Sequence, residues 1–135
     1  VGLLSGDDAE DCPCGSGVSQ GACCGPYLVG TARAPTAEAL MRSRYTAFVR
    51  ADLDHLFRTW HPRTRPDELM IDPRIVWTGL EVQRVDGGGV DDETGEVTFL
   101  ATCDTNGRPQ QIHERSTFER RGGRWVYVGG EQPAD

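Results

Sequence analysis

The sequence predicts an α+β fold: two helices packed on one face of a curved, four-stranded antiparallel sheet, with a small cysteine-rich knuckle in front. Three observations carry this. Apolar residues recur with helical period from about residue 37 to 60, then with period two from Ile75 onward. Asn106-Gly107 and Gly122-Gly123 punctuate the second half as hairpin turns. Four of the five cysteines, Cys12, Cys14, Cys23 and Cys24, crowd into one short stretch before the first helix. At 135 residues the chain suits one core with a small appendage, and the boundaries fall at 1–30 for the acidic lead and knuckle and 31–135 for the body.

The elements follow in order. Residues 1–10 read as an irregular acidic lead. Pro26 to Pro35 is a connector whose Tyr27, Leu28 and Val29 could anchor the knuckle on the body. Thr36 is an N-cap, and Ala37, Leu40, Met41, Tyr45 and Phe48 share one face of a helix over 37–50. Asp52 caps a second helix to about Trp60, with Leu53, Leu56, Phe57 and Trp60 on its apolar face. His61-Pro62 ends it, because proline forces the preceding residue into an extended conformation. Ile75–Val85 is a long bent strand, and Gly87-Gly88-Gly89 with the following acids is a loop. Val97–Cys103, Ile112–Phe118 and Trp125–Gly129 complete the meander.

Composition excludes several functions. The net charge is −7, which argues against general nucleic-acid binding. No apolar run approaches a membrane span. Residues 1–11 lack a basic start and an apolar run, so no secretory signal is expected and the compartment is cytoplasmic. Every basic residue other than histidine is arginine, so no lysine nucleophile exists. The charge is uneven: residues 33–65 hold seven arginines against three carboxylates, +4, while the rest carries −11. Such a basic part is either a solvated helix face or a meeting surface for an acidic partner.

Four thiolates in a Cys-x-Cys and a Cys-Cys pair, eight residues apart on a permissive loop, suit a tetrahedral zinc ion. A pair of disulfides, Cys12–Cys23 with Cys14–Cys24, and an iron–sulfur cluster are the competing readings. Four sulfur ligands would close the zinc sphere, making the ion structural.

Cys12-Pro13-Cys14-Gly15-Ser16-Gly17 followed by Cys23-Cys24-Gly25 resembles the SEC-C motif, the zinc knuckle of the SecA translocation motor, with Cys24 where histidine is frequent. The stretch from Ala34 to Phe48, Thr59-Trp60-His61-Pro62 and His113-Glu114-Arg115-Ser116 are similar to the YchJ family of bacterial proteins. The resemblance runs from Cys12 to about Tyr127. It implies a cone of the nuclear-transport-factor-two type behind one structural zinc, and a knuckle that presents a surface to a protein partner.

An alternative function places a small-molecule binder or an isomerase-, hydrolase- or dehydratase-like enzyme in the cone's cavity; a sealed apolar interior would favour the interaction module, and an open pocket with convergent polar groups the alternative. Candidate cavity residues are Arg44, Tyr45, His61, Glu114 and Ser116. Arg44 falls inside the apolar stripe of the first helix, and Glu114 and Ser116 share the face of Ile112 and Phe118, so a buried Arg44–Glu114 ion pair is expected, with Tyr45, His61 or Ser116 beside it. His61 should sit at the cavity mouth. His55 should be exposed, His113 should point off the core, and Cys103 should be a buried small hydrophobe.

Overall fold

Thr36 caps the central helix as its residue type demands: its side chain accepts from the Ala39 amide at 3.0 Å, and helix α3 runs Ala37–Arg50. The computed structural model describes residues 6–133. Before α3 come two short helices, α1 (Gly6–Ala9) and α2 (Gly25–Val29), with a 3-10 turn at Gln20–Ala22 between them. The irregular lead is thus corrected in part: residues 6–9 are helical, and residues 1–5 lie outside the described part. Helix α4 (Leu53–Arg58) follows, capped by Asp52, which accepts from the His55 amide.

Four strands, β1 (Ile75–Gly87), β2 (Thr94–Thr105), β3 (Arg108–Arg121) and β4 (Arg124–Glu131), form one antiparallel meander in sequential order. Each is longer than its alternating core, because ladder hydrogen bonds continue past the last inward side chain. Asn106 and Gly107 both take positive φ, 54° and 81°, as a two-residue hairpin turn requires. Register shifts between Trp77 and Gly79 and between Val82 and Arg84 bend β1, giving the sheet its curl. A third shift, opposite Thr117 and Phe118, skips Val128 and reverses the facing of the end of β4.

Helix α3 lies in the concave side of the sheet. Ala37, Leu40, Met41, Val97, Phe118 and Trp125 form one buried cluster; Tyr45 and Ala101 form a second together with Cys12, Cys14 and Cys24. Helix α4 is shorter than its pattern. Trp60 leaves the helix to bridge in parallel to Tyr127: the Tyr127 amide donates to the Thr59 carbonyl, and the His61 amide to the Tyr127 carbonyl, both at 2.8 Å. The backbone of β4 captures the chain before another helical turn can form. Leu53 and Phe57, expected on the apolar face, are 42% and 45% exposed; only Leu56 of that group is fully buried. The Arg65 guanidinium lies 3.8 Å over the Phe57 ring and partly shields it.

The loop after β1 docks the start of α3. Gly88, at φ 76°, accepts from the Ala37 amide through its carbonyl and donates to the Thr94 carbonyl. A Cβ there would stand 2.6 Å from Ala37 Cβ and 3.4 Å from Gly95 Cα. Gly88→Ala should therefore destabilise the fold by roughly 2–3 kcal/mol, through steric overlap and a left-handed backbone. Urea denaturation of the two proteins checks this, and a change under 0.5 kcal/mol, the noise level for a surface site, contradicts it.

Candidate functional site

The cysteine knuckle is built by its loop and held by α3. The Cys12 amide donates to the Val18 carbonyl and the Gly15 amide to the Cys12 carbonyl, which turns the Cys12–Cys14 pair inward. Positions 42, 46 and 50 of α3, one helical row, face it. Arg42 donates from Nη1 to the Cys14 carbonyl at 2.8 Å, Thr46 Oγ1 lies 3.6 Å from Cys12 Sγ, and Arg50 donates from Nε to Gln20 Oε1 at 2.9 Å. Part of the basic face noted in the sequence is therefore used inside the molecule. Glu38 pairs with Arg42 and steadies it.

The four sulfur atoms of Cys12, Cys14, Cys23 and Cys24 all lie within 4.8 Å of one another, with Cys14–Cys23 at 3.7 Å and Cys23–Cys24 at 4.0 Å. A tetrahedron of sulfurs at the zinc–thiolate bond length has edges of about 3.8 Å. A disulfide needs about 2.05 Å, and all five cysteines are free. Cys12, Cys14 and Cys24 are buried, and Ser16 Oγ donates to the sulfur of Cys23, the most accessible of the four, at 3.1 Å. The close sulfurs of Cys14 and then Cys24 hold the Cys12 pKa down. Cys24 is pushed up by Cys12 first, then Cys14 and burial. Four thiolates at this spacing need a cation among them, so the set could hold one metal ion.

The second feature is a cavity of about 330 Å³ between α3 and the inner face of the sheet, neither sealed nor flat. Arg44, Tyr45, Glu114 and Ser116 line it, with Trp60, Trp77, Tyr127 and apolar side chains making up most of the wall. His61 does not. It is buried elsewhere: its Nδ1 accepts from the Arg63 amide at 3.0 Å and its Nε2 lies 3.7 Å from Glu119. The bridge of residue 60 to β4 carries His61 past the mouth. Cys103 is buried, and His113 pairs with Gln83 at 2.8 Å.

The expected Arg44–Glu114 ion pair is absent. Arg44, 6% exposed, spends Nη1 on the Leu56 carbonyl at 3.0 Å and Thr59 Oγ1 at 2.7 Å. Its guanidinium lies 4.5 Å from the Tyr127 ring centroid and 5.0 Å from that of Trp60. Tyr127 joins the two charges: its hydroxyl donates to Glu114 Oε2 at 3.2 Å, beside the Ser116 hydroxyl at 2.5 Å. Burial lowers the Arg44 pKa to about 10, which leaves it charged at neutral pH. Burial and then Glu114 push the Tyr127 phenol up to about 12. Reading the sequence alone missed Tyr127's bridging role and Gly130. A Cβ on Gly130 would overlap the Glu114 carboxyl. The signal for Gly130 is faint, because only the skipped Val128 turns that position toward Ser116.

His55 also departs from expectation: it is 1% exposed. Ser43 Oγ donates its proton to the Leu40 carbonyl at 2.7 Å, so His55 Nε2–H donates to Ser43 Oγ at 2.8 Å. Its bare Nδ1 has no partner among the described residues. An α4 set against α3 leaves position 55 facing Ser43 rather than water.

Residues 36–130 match the family described as "YchJ, middle NTF2-like domain". The chain belongs to the YchJ family. It is 55% identical over 120 residues to a UPF0225 protein of Streptomyces coelicolor, spanning 89% of this chain and 94% of that one. A UPF0225 protein of Chromobacterium violaceum is 49% identical over 123 residues, 88% and 90% of the two chains. The solution structure of a SEC-C motif containing protein from Rhodopseudomonas palustris superposes with TM-score 0.81 at 36% identity, covering 91% of this chain and 98% of that one. A second SEC-C motif containing protein, from Psychrobacter arcticus, gives 0.77 at 27%, covering 96% and 86%. Among the described residues no helix is long and apolar enough to cross a membrane.

Burial, then the charges of Arg58 and Arg44, lower the His55 pKa from its ordinary 6.5 to about 3. The folded state therefore holds fewer protons than the unfolded one between those values. The His55 contribution is intact above the unfolded pKa and is lost as pH falls, at about 1.4 kcal/mol per unit within the window. His55→Gln should flatten stability against pH between about 6 and 4.5, seen as a smaller slope in urea denaturation run across that range. An unchanged slope rejects this role.

Proposed function

We propose that this YchJ-family chain is a zinc-stapled small-molecule-binding protein: the four cysteines hold one structural zinc ion, and the cone cavity takes a ligand. The observation that carries the second half is the cavity itself. It is not sealed, half of its lining side chains are aromatic, and Arg44, Glu114 and Ser116 converge on it. That combination fits a ligand pocket better than a filled core. Its volume stands near the lower bound of such pockets, about 300 Å³, so the ligand is small.

Zinc is the ion we assign because four cysteine sulfurs within 4.8 Å of one another match its donor preference and leave no position for a reacting water. The knuckle's part is then mechanical: it clamps α3, whose other side lines the cavity. Free thiols in such a site suit a reducing compartment, so we place the protein in the cytoplasm. A second reading, a protein partner docking on the knuckle, is favoured by Val18 and Val29, 44% and 75% exposed there.

Elemental analysis should find one zinc per chain, with four sulfurs at about 2.3 Å by X-ray absorption. Iron, or no metal with paired disulfides, refutes the assignment. Chelation should release residues 12–25 while the amides of the sheet stay protected from exchange, since β1 to β4 share their own core. A single transition of the whole chain would instead make the knuckle integral to that core. For the cavity, single-ring aromatic probes should shift the amides of Phe99, Ala101 and Ser116 in the wild type. Filling the rim with Ile112→Trp should abolish the shifts, Ile112 being 39% exposed and able to accept a larger ring. Equal shifts in both proteins would move the binding elsewhere.

A further inference from the structure

We infer that the cavity selects an uncharged ring compound carrying a hydrogen-bond acceptor and a donor side by side, of the carboxamide or lactam class; this rests on the cavity being a ligand site. The charges decide it. Among the described residues the lining holds one arginine, Arg44, and one carboxylate residue, Glu114. Both are held in place by Tyr127, which stacks under the first and donates to the second. A ligand anion drawn to Arg44 would also meet Glu114, and a cation drawn to Glu114 would also meet Arg44, each in a wall too apolar to screen the repulsion. A neutral ligand leaves the balance undisturbed.

The unused hydrogen-bonding positions set the rest. Both Arg44 bonds use Nη1, so Nε and Nη2 keep their protons for an incoming acceptor. Both bonds to Glu114 end on Oε2, so Oε1 can accept from an incoming donor. An amide group offers C=O and N–H together, and its ring would lie against Trp77, Phe99 and Tyr45. A hydrocarbon would leave Nε, Nη2 and Oε1 without water and without partners, which opposes its binding.

Four probes of one shape separate the possibilities: benzamide, benzoate, benzylamine and toluene, titrated into the zinc-loaded protein and followed through the amides of Ser116, Phe99 and Tyr127. Benzamide should saturate these shifts, with the other three at least about tenfold weaker. Glu114→Gln should reverse the order of benzamide and benzoate, because Arg44 then stands alone. Benzoate, benzylamine or toluene matching benzamide on the wild type overturns the inference while leaving the cavity a ligand site. Failure of all four probes to bind overturns the cavity reading itself. Should Glu114→Gln not fold, the wild-type series decides alone.

Discussion

Helix α3 is buried around most of its circumference, and the placement of both the knuckle and the cavity depends on it. One row, Arg42, Thr46 and Arg50, is bonded to the knuckle backbone, to Cys12 Sγ and to Gln20. The stripe from Leu40 and Met41 to Tyr45 packs on the sheet. Tyr45 belongs to the same buried cluster as three of the four cysteines, so the cysteine cluster and the cavity share a wall. A short loop with little apolar content cannot hold its own shape in water. Four sulfurs around an ion would supply the missing cohesion, and the hydrogen bonds from α3 fix where the loop sits.

The cavity exists because the curled sheet and α3 diverge where large side chains cannot fill the space. Aromatic rings line it edge to face: Tyr45 against Trp77 and Trp60 against Tyr127, with centroids 5.9 and 5.1 Å apart. Such rings are stiff and leave gaps that flexible aliphatic chains would close. Arg44 survives there through backbone and hydroxyl acceptors and two ring faces rather than through a carboxylate. That arrangement keeps a guanidinium charged without the desolvation of a second ion beside it. Glu114 is satisfied by Tyr127 and Ser116, and Tyr127 links the two charges without a direct ion pair.

Side-chain period accounts for what was correct in the sequence and for what was not. Alternation along β3 put Ile112, Glu114, Ser116 and Phe118 on one face, and all four line the cavity. Helical period put Arg44 in the apolar stripe of α3, where it is buried. The same reasoning failed for α4. Its moment points Leu53 and Phe57 inward, yet His55 and Leu56 are the residues that face α3. Six residues are too few for periodicity to decide a face, and the Ser43 hydroxyl satisfies His55 in a way only contact reveals.

What the sequence determined by itself was local: the cap at Thr36, the turn at Asn106-Gly107, the order of the strands and the grouping of four cysteines. Each follows from residues a few positions apart, where covalent geometry limits the choices. The tertiary structure alone decided which residues meet. The skipped Val128 turns Gly130 toward Glu114, and the bridge of Trp60 to Tyr127 removes His61 from the cavity. These outcomes depend on the register of β3 on β4 and on the backbone bridge between Trp60 and Tyr127. A pattern of residue types does not encode them, because the competing arrangements bury nearly the same side chains.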